Sequence, residues 1–359
     1  MILLLIAVIL LATLFQSFAR RRGLRGLEVE LSFPQALVEQ ETPFELTLEL
    51  INRRRVFFPF LRISVRLPEG LVADGEEKQL RTDILGRQSI SLSTWLGPRQ
   101  RFSRSVHLKA VRRGRFLVEN VTVYGGDFLG ISEEGQRFSR FLEVVAIPRE
   151  ADGREIEQIA GGFPGDISVN RFLYEDPVLT VGYRDYTGRE PMKMLAWTQI
   201  ARTGRLMVKQ YDYTLETSVM VVLNMECRSQ EAEEKKPQVE AAYRLARSVC
   251  EQLEEQGIRY SFHTNAVTAG DFASWQSVGE GLGEHHLAHI LEGLGRGLDQ
   301  TAISCDALLE QAIRSSDSTR GLMFITPEAD PEILHLAETW AEWAGVHLWT
   351  ATGQEESVC

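Results

Sequence analysis

The chain has 359 residues, enough for two ordinary domains, and its 25% charged and 44% hydrophobic residues exclude an intrinsically disordered protein. The net charge of -11 is uneven, because residues 20–115 carry 19 Lys+Arg against 11 Asp+Glu whereas the rest carries 20 against 39. The acidic distal half argues against nucleic acid as a partner, since binding to phosphates needs a positive surface.

Residues 1–19 predict a membrane anchor. Met1–Phe18 carry no charge, and Gln16 and Ser17 interrupt this apolar run near its end. Eighteen residues in a helix span ~27 Å, near the lower limit for crossing a bilayer. Arginines follow within residues 20–25, and the positive-inside rule keeps such a cluster in the cytoplasm. We expect a single-pass protein of the cell membrane with the bulk of the chain cytoplasmic. The alternatives are a mis-assigned start or an earlier helix that has been lost.

Residues 27–148 show the alternation that is typical of β strands. In Phe44–Leu50 and Leu61–Leu67, apolar and polar residues alternate, which gives each strand one buried and one solvated face. Turn residues separate such runs without a long helical pattern between them. We expect an antiparallel β-sandwich that acts as a spacer or a binding module. Glycines and prolines in residues 149–181 then predict a linker.

The pattern changes in residues 182–359, where predicted strands and helices alternate. Strands are predicted at 217–223, 258–262, 322–325 and 346–349, and helices at 239–255, 302–314 and 331–344. Gly257 stands in the usual position for ending the first of these helices. Alternation of this kind predicts a mostly parallel sheet that is covered by helices on both faces.

A charged segment precedes the first of these strands. Residues 182–209 read GYRDYTGREPMKMLAWTQIARTGRLMVK. This segment resembles the signature of the domain-of-unknown-function 58 family, and residues 113–116 and 127–130 resemble a second stretch of that family. The matching signature residues are Arg184, Tyr186, Gly188, Trp197, Ala201, Arg202, Thr203, Gly204, Leu206, Met207 and Val208.

The resemblance implies a β plus α/β fold class and a partner. It implies an N-terminal transmembrane helix, an antiparallel β-sandwich and a von Willebrand A-like (Rossmann-type) α/β domain with a mostly parallel sheet. Members of the family are often encoded beside MoxR-type AAA+ ATPases, so a AAA+ ATPase is the expected protein partner. No enzymatic reaction is implied.

One departure from the family's pattern concerns metal binding. The resemblance places an Asp-x-Ser-x-Ser cation motif where this chain has Asn224-Met225-Glu226-Cys227-Arg228, and a third loop reads Thr326-Pro327-Glu328. Mg²⁺ prefers anionic and hydroxyl oxygens, so the metal site is expected to be degenerate. The edge can still dock a protein without metal. The candidate partner-binding residues are Asn224, Glu226, Arg228, Thr326 and Glu328.

Other residues have plain structural interpretations. Trp197 is expected to anchor the core, whereas the signature arginines are either paired with carboxylates or part of a partner surface. His285 and His289 stand four apart, a spacing that can bind zinc, but structural zinc needs four ligands and a solvated or capping role is favoured. Glycines in 279–283 and 293–297 lack a nucleotide-binding motif and predict flexible loops.

The cysteines predict no chemistry. Cys227, Cys250, Cys305 and Cys359 show no CxxC spacing, so they are expected to be thiols that pack as small core residues. A nucleophilic cysteine would need a histidine beside it, and proximity to His263 stays open.

The sequence therefore favours a membrane-anchored, non-enzymatic scaffold or adaptor that binds protein at the sheet edge. It predicts no cofactor, no catalytic residue, no metal, no nucleic acid and no small-molecule substrate. A structural component of the cell envelope is the first alternative. A hydrolase with an unrecognised site is the second.

Overall fold

The structure is a computed structural model that describes most of the chain. The described residues are 24, 26–74, 80–82, 88–126, 133–151, 175–186, 195–213, 218–227, 232–315 and 319–353. They form two compact units. Unit 1 comprises residues 1–149 with 294–297, and unit 2 comprises residues 150–293 with 298–359.

Unit 1 consists of two β sheets. Its strands are β1 (Leu27–Ser32), β2 (Leu37–Glu39), β3 (Pro43–Asn52), β4 (Phe58–Arg66), β5 (Leu71–Ala73), β6 (Leu80–Thr82), β7 (Gln88–Leu96), β8 (Arg101–Ala110), β9 (Gly114–Gly126) and β10 (Glu133–Ile147). One sheet has the order β1-β3-β8-β5, and the other has the order β2-β10-β9-β4-β7-β6. Neighbouring strands are antiparallel, except that β2 pairs with β10 in parallel.

The alternation in the sequence explains the core of unit 1. In β3, Leu46, Leu48 and Leu50 are at most 1% exposed, while the residues between them are partly exposed. β4 contributes Leu61 and Ile63 in the same way. Burial of each such side chain, relative to leaving it in water, stabilises the fold by about 1.5–3 kcal/mol. The predicted β-sandwich is therefore observed, with its core between the two inner faces.

A buried asparagine holds two connections together at one end of unit 1. The Nδ2 of Asn52, which is 1% exposed, donates to the carbonyls of Val56 and Gly97 at 2.7 Å each. Its Oδ1 accepts from the backbone N–H of Arg54 at 3.0 Å. The Arg99 N–H also donates to the Arg54 carbonyl at 2.9 Å. The β3–β4 connection and the β7–β8 turn are thereby fixed to each other.

Unit 2 is built around a five-stranded sheet. Its elements are β11 (Glu175–Asp185), α1 (Trp197–Thr203), β12 (Met207–Tyr213), β13 (Ser218–Leu223), α2 (Ala232–Glu255), β14 (Arg259–Thr264), β15 (Ala266–Thr268), a 3₁₀ turn (Ala273–Gln276), β16 (Ser277–Gly281), α3 (Glu284–Arg296), β17 (Gly297–Thr301), α4 (Cys305–Arg314), β18 (Thr319–Thr326), α5 (Pro331–Ala344) and β19 (His347–Thr352). The sheet order is β16-β14-β13-β18-β19, with parallel pairs except at β16.

Burial explains why these segments form this sheet. Every residue of β13, the central strand, is buried, as expected for a strand covered on both faces. Helix α2 ends at Gly257, whose φ of 67° is the left-handed conformation that glycine adopts readily. The Ile258 N–H donates to Leu253 O and the Gly257 N–H to Glu254 O, the two bonds of a Schellman motif. Helix α5 begins at Asp330, whose side chain accepts from the Glu332 N–H at 2.8 Å.

The predicted fold class is wrong as a whole. The described residues are mainly β, with 48% strand against 27% helix, whereas the prediction combined the β-sandwich with a transmembrane helix and a von Willebrand A-like, Rossmann-type domain. Unit 2 itself contains two small two-stranded sheets, β11-β12 and β15-β17, and an antiparallel edge strand. These short antiparallel elements lack a periodic signal in the sequence, so the α/β pattern overstated the helical and parallel content.

The predicted membrane location is also corrected. Among the residues that the structure describes, no helix has the length and apolarity needed to cross a bilayer. Single-pass anchoring in the cell membrane is therefore not supported. Residues 1–19, to which the anchor was assigned, lie outside the described residues.

The glycine-rich segments do not form the flexible loops that were predicted. Gly279 and Gly281 lie in β16, and Gly293 lies inside α3. A Cβ atom added at Gly293 would stand 1.9 Å from the Cδ1 atom of Trp275. Trp275 is fully buried and stacks on Phe262 with 5.6 Å between ring centroids. Glycine is needed at 293 because the indole occupies the space of a side chain.

This contact predicts the effect of Gly293→Ala. Alanine is better than glycine in a helix interior by about 1 kcal/mol. Overpacking of a core typically costs about 1–3 kcal/mol, and here the obstacle is a fully buried indole. We expect a net loss of about 1–2 kcal/mol in the free energy of unfolding, measured by urea denaturation. Gly279→Ala is the control, since nothing lies within 4 Å of an added Cβ there. Equal stability of the two variants would contradict the packing argument.

Candidate binding edge of the parallel sheet

Three parallel strands end in buried polar residues at one edge of the sheet. Asn224 follows β13, Asn265 follows β14, and Thr326 is the last residue of β18. All three are 0% exposed. The carboxyl ends of parallel strands meet at a common edge, where open α/β sheets place their binding sites. This edge is therefore the candidate functional site of unit 2.

The two asparagines join the loops of this edge through their side chains. Asn265 Nδ2 donates to Asn224 Oδ1 at 2.8 Å and to the Ile303 carbonyl at 3.3 Å. Asn265 Oδ1 accepts from the Met225 N–H at 2.7 Å. Asn224 Nδ2 donates to Thr326 Oγ1 at 3.3 Å. Burial without such partners would be costly, so the network fixes the loops after β13, β14 and β18 together with the segment that leads into α4.

Glu226 connects the same loop to helix α4. Its Oε2 accepts from the backbone N–H of Cys305, the first residue of the helix, at 2.8 Å. The neighbouring Ser304 caps the helix, its Oγ accepting from the Ala307 N–H at 3.4 Å. A carboxylate at a helix N-terminus is favourable because it satisfies a free N–H group and faces the positive end of the helix dipole. Glu226 is therefore held in place by the fold.

Glu328 occupies a similar position in the loop after β18. Its Oε2 accepts from the thiol of Cys227 at 3.2 Å, and its carbonyl accepts from Thr326 Oγ1 at 3.3 Å. The carboxylates of Glu226 and Glu328 thus both belong to loops that the buried amide network fixes. Both side chains are partly exposed, so they are accessible at the rim of the edge.

The described loops at this edge carry only negative charge. Residues 224–227, 301–306 and 326–330 contain four carboxylates and neither lysine nor arginine. The carboxylates are those of Glu226, Asp306, Glu328 and Asp330. Such a concentration of one sign attracts a positively charged ligand or segment.

The candidate partner-binding residues fall into three groups. Asn224 and Thr326 are fully buried, so they hold the loops and do not present a contact surface. Glu226 and Glu328 are partly exposed, and Arg228 lies outside the described residues. Asn265 was not among the predicted site residues, because the strand predicted at 258–262 ended before it. Its signal was a polar residue directly after a buried strand.

The signature segment forms a hairpin and a short helix. β11 pairs with β12, and the Tyr186 N–H donates to the Leu206 carbonyl at 2.9 Å. Gly204 ends α1 with a φ of 70°. Trp197 is 62% exposed, so its predicted role as a core anchor is wrong. Ala201, Arg202 and Thr203 are also exposed, whereas Gly188 and the side chain of Arg184 lie outside what the structure describes.

The buried cysteines and His263 are held in unreactive forms. Burial raises the pKa of the Cys305 thiol to about 12 and raises the pKa of the Cys250 thiol well above its usual range. Burial lowers the pKa of His263 to about 4, so its ring is neutral at pH 7. His263 contacts the hydroxyls of Ser277 and Ser315 at 3.2 and 3.5 Å. Ser315 follows the last residue of α4, ~15 Å along the helix from Cys305, so no cysteine–histidine pair forms there.

The histidines of α3 make local contacts. His286 lies 3.0 Å from the Tyr260 carbonyl, and the ring of His289 packs on Phe272 at 4.9 Å. Within the described ranges, no group of three or more His, Cys, Asp or Glu side chains is arranged to hold a metal ion. The expectation that neither metal nor cofactor binds stays a prediction.

No protein-family model matches the chain, and no curated protein matches it. It is similar to a CARDB domain from Pyrococcus furiosus solved with two metal ions (14% identity, 34% of this chain, 87% of that chain, TM-score 0.23). It is also similar to a human PapD-like domain (15% identity, 35% of this chain, 87% of that chain, TM-score 0.21). A third similar structure is the major pilin SpaD from Corynebacterium diphtheriae (9% identity, 35% of this chain, 38% of that chain, TM-score 0.25). None of these is described as a von Willebrand A domain, and the resemblance to the domain-of-unknown-function 58 family stays a prediction.

The amide network predicts the effect of Asn265→Ala. The substitution removes the oxygen that accepts from the buried Met225 N–H and the amide that donates to the buried Asn224 Oδ1. A buried polar group without its partner costs about 1–3 kcal/mol, and we expect a loss of that size in the free energy of unfolding. Asn120→Ala, in a partly exposed strand position of unit 1, is the control and should stay within about 0.5 kcal/mol of the parent. If Asn265→Ala lost no more stability than the control, the buried amide network would not be holding these loops together.

His263 predicts a dependence of stability on pH. Its folded pKa of about 4 lies below the unfolded value near 6.5, so between these values the unfolded state binds more protons. The contribution of His263 to the free energy of unfolding should therefore be fully present above pH 6.5. The free energy of unfolding should fall by roughly 2–3 kcal/mol as the pH approaches 4. His286, whose pKa burial also lowers, acts in the same direction.

Substitution can identify which histidine causes the loss of stability between pH 6.5 and 4. His263→Gln removes the titrating group but keeps hydrogen-bonding atoms near Ser277 and Ser315, so the loss of stability between pH 6.5 and 4 should become smaller. His335→Gln, at an exposed position of α5, should leave that loss unchanged. Chemical denaturation at several pH values measures both. An unchanged acid sensitivity in His263→Gln would show that other groups dominate.

Proposed function

We propose that this protein is a non-enzymatic binding module, and that the carboxyl edge of the unit 2 sheet binds a positively charged segment of another protein. The observation that carries the proposal is the buried Asn224–Asn265 hydrogen bond, which fixes a set of acidic loops. A surface that is rigid before binding loses less conformational entropy when a partner is bound.

The charge of the edge specifies the chemistry of the partner. Glu226 and Glu328 are held at the rim by backbone and thiol donors, and Asp306 lies one residue beyond Cys305. Lysine or arginine side chains can form charge-assisted hydrogen bonds with such carboxylates. Complementary charge also accelerates association and disfavours acidic competitors. We therefore assign a basic segment as the bound element.

The state of the potential nucleophiles supports binding in preference to catalysis. Catalytic cysteines need a lowered pKa, whereas burial raises the pKa of both Cys250 and Cys305. His263 contacts two serine hydroxyls, but burial lowers its pKa to about 4, below the range suited to a general base at pH 7. A AAA+ ATPase as the partner, implied only by the family resemblance, stays a prediction that the same experiment addresses.

The test uses substitutions that remove charge and keep hydrogen bonds. In the double variant Glu226→Gln/Glu328→Gln, each amide oxygen can still accept from Cys305 N–H or the Cys227 thiol. The control is Glu338→Gln/Glu342→Gln, which removes the same charge from exposed positions of α5. Tagged full-length proteins are used to capture partners from a lysate, and quantitative mass spectrometry compares the captured proteins.

We expect the parent and the control variant to capture a common protein that the edge variant captures at least 10-fold less, with capture weakening as salt increases. The captured protein should also bind through a lysine- or arginine-rich segment when its fragments are tested separately. Equal capture by the edge variant and the control would reject the edge as the binding surface.

A further inference from the structure

A basic and aromatic surface lies at one end of unit 1. It consists of the β3–β4 connection, residues 53–57, and the β7–β8 turn with the residues that flank it. Its exposed members are Arg53, Arg54, Arg55, Phe57, Trp95, Arg99 and Arg101, which we call the arginine–aromatic end. Residues 53–57 and 97–101 contain five arginines and no acidic residue.

Two aromatic side chains lie within this end. Trp95 is 57% exposed and Phe57 is 44% exposed, and their ring centroids are 6.1 Å apart. Large apolar side chains in a sandwich normally point into the core, as Leu96 and Phe58 largely do. A tryptophan that is more than half exposed leaves a large apolar area in water unless another surface covers it.

The arginines differ in how they are already paired. Arg53 forms an ion pair with Glu28 at 2.7 Å, and Arg101 pairs with Glu49 at 3.5 Å. Among the described residues, no ion pair joins Arg54, Arg55 or Arg99 to a carboxylate. These three arginines therefore lie on the β3–β4 connection and the β7–β8 turn, which Asn52 fixes to each other.

We infer that the arginine–aromatic end of unit 1 binds the surface of an anionic lipid bilayer. Guanidinium groups bind lipid phosphates, and a tryptophan side chain, with an apolar ring system and a polar N–H, suits the headgroup layer, where the neighbouring phenylalanine adds apolar area. Such a contact is peripheral and needs no membrane-spanning helix. It is independent of the proposed acidic edge, because its residues belong to unit 1.

The concentration of positive charge favours a lipid surface over a single acidic protein segment. In the sequence, four further arginines stand between residues 20 and 25, directly before β1. β1 begins at this same end, since Leu27 pairs with Asn52 and the Arg53 N–H donates to Gly26 O at 3.3 Å. An extended anionic surface can attract many positive charges at once, and each arginine near the headgroups adds to the free energy of binding.

The test measures binding of the full-length protein to vesicles by sedimentation. Vesicles of phosphatidylcholine alone are compared with vesicles that also contain phosphatidylserine. The variant Arg54→Gln/Arg55→Gln removes two charges of the arginine–aromatic end. The control Arg112→Gln/Arg137→Gln removes two exposed arginines elsewhere in unit 1. Both variants are first checked for an unchanged circular dichroism spectrum and melting temperature.

We expect the parent and the control to bind the phosphatidylserine vesicles, and Arg54→Gln/Arg55→Gln to bind them roughly 10- to 30-fold more weakly. Binding should also weaken as salt increases. Brominated lipid should quench the tryptophan fluorescence of the parent, and Trp95→Phe should lose part of that quenching.

Three results would overturn the inference. Arg54→Gln/Arg55→Gln could bind phosphatidylserine vesicles as tightly as the control. The parent could bind both kinds of vesicle equally, which would show that charge at this end is not involved. A polyglutamate peptide could bind in an Arg54- and Arg55-dependent way while the vesicles do not, which would assign the surface to an acidic protein partner.

Discussion

The hydrogen bond from Asn265 Nδ2 to Asn224 Oδ1, at 2.8 Å, is the interaction on which the candidate site depends. It joins two loops that leave adjacent parallel strands, and the same two amides also bind Met225, Ile303 and Thr326. Both side chains are fully buried, so the polar atoms must pair with one another or cost free energy. The geometry of the rim, including the carboxylates of Glu226 and Glu328, follows from this pairing.

Each unit uses buried asparagine amides to fix a charged surface. In unit 1, Asn52 connects two loops through both its amide donor and its acceptor, and the surface above them is rich in arginine. In unit 2, the Asn224–Asn265 pair fixes loops whose described residues carry carboxylates and neither lysine nor arginine. An amide is suited to this role because it offers donors and an acceptor without adding a charge that would need its own partner in the core. The charge of each surface can then be carried entirely by side chains at the rim.

Burial also sets the protonation states of three ionisable groups in unit 2. Cys250, Cys305 and His263 are the groups from which a nucleophile and base would be drawn, and all three are buried. Desolvation keeps the thiols protonated and the imidazole neutral, because it disfavours the charged form of each group. The same effect ties the stability of the protein to pH through His263. The exposed Trp197 of the signature segment shows the opposite case, an aromatic residue whose surroundings leave it in water.

The sequence by itself determined those features that depend on local periodicity. Alternation in Phe44–Leu50 identified a strand of the sandwich, and the unbroken apolar run before Asn224 identified the central strand of the parallel sheet. Gly257 marked the end of helix α2, because glycine readily adopts the left-handed conformation that this position requires. Such signals act within a few residues and are visible without knowledge of distant contacts.

Only the tertiary structure decided the features that depend on residues far apart in the chain. Position 293 of helix α3 needs glycine because Trp275 fills the space beside it, and nothing in the sequence near Gly293 reveals that contact. The fold class was misjudged because short antiparallel strands such as β16 are defined by their hydrogen-bonded neighbours and not by a pattern of their own. Asn224 and Thr326 were expected to face a partner, but packing buries them and leaves Glu226 and Glu328 at the rim. Periodicity specifies which face of an element is apolar, whereas the amount of water that reaches a side chain is set by the elements that pack around it.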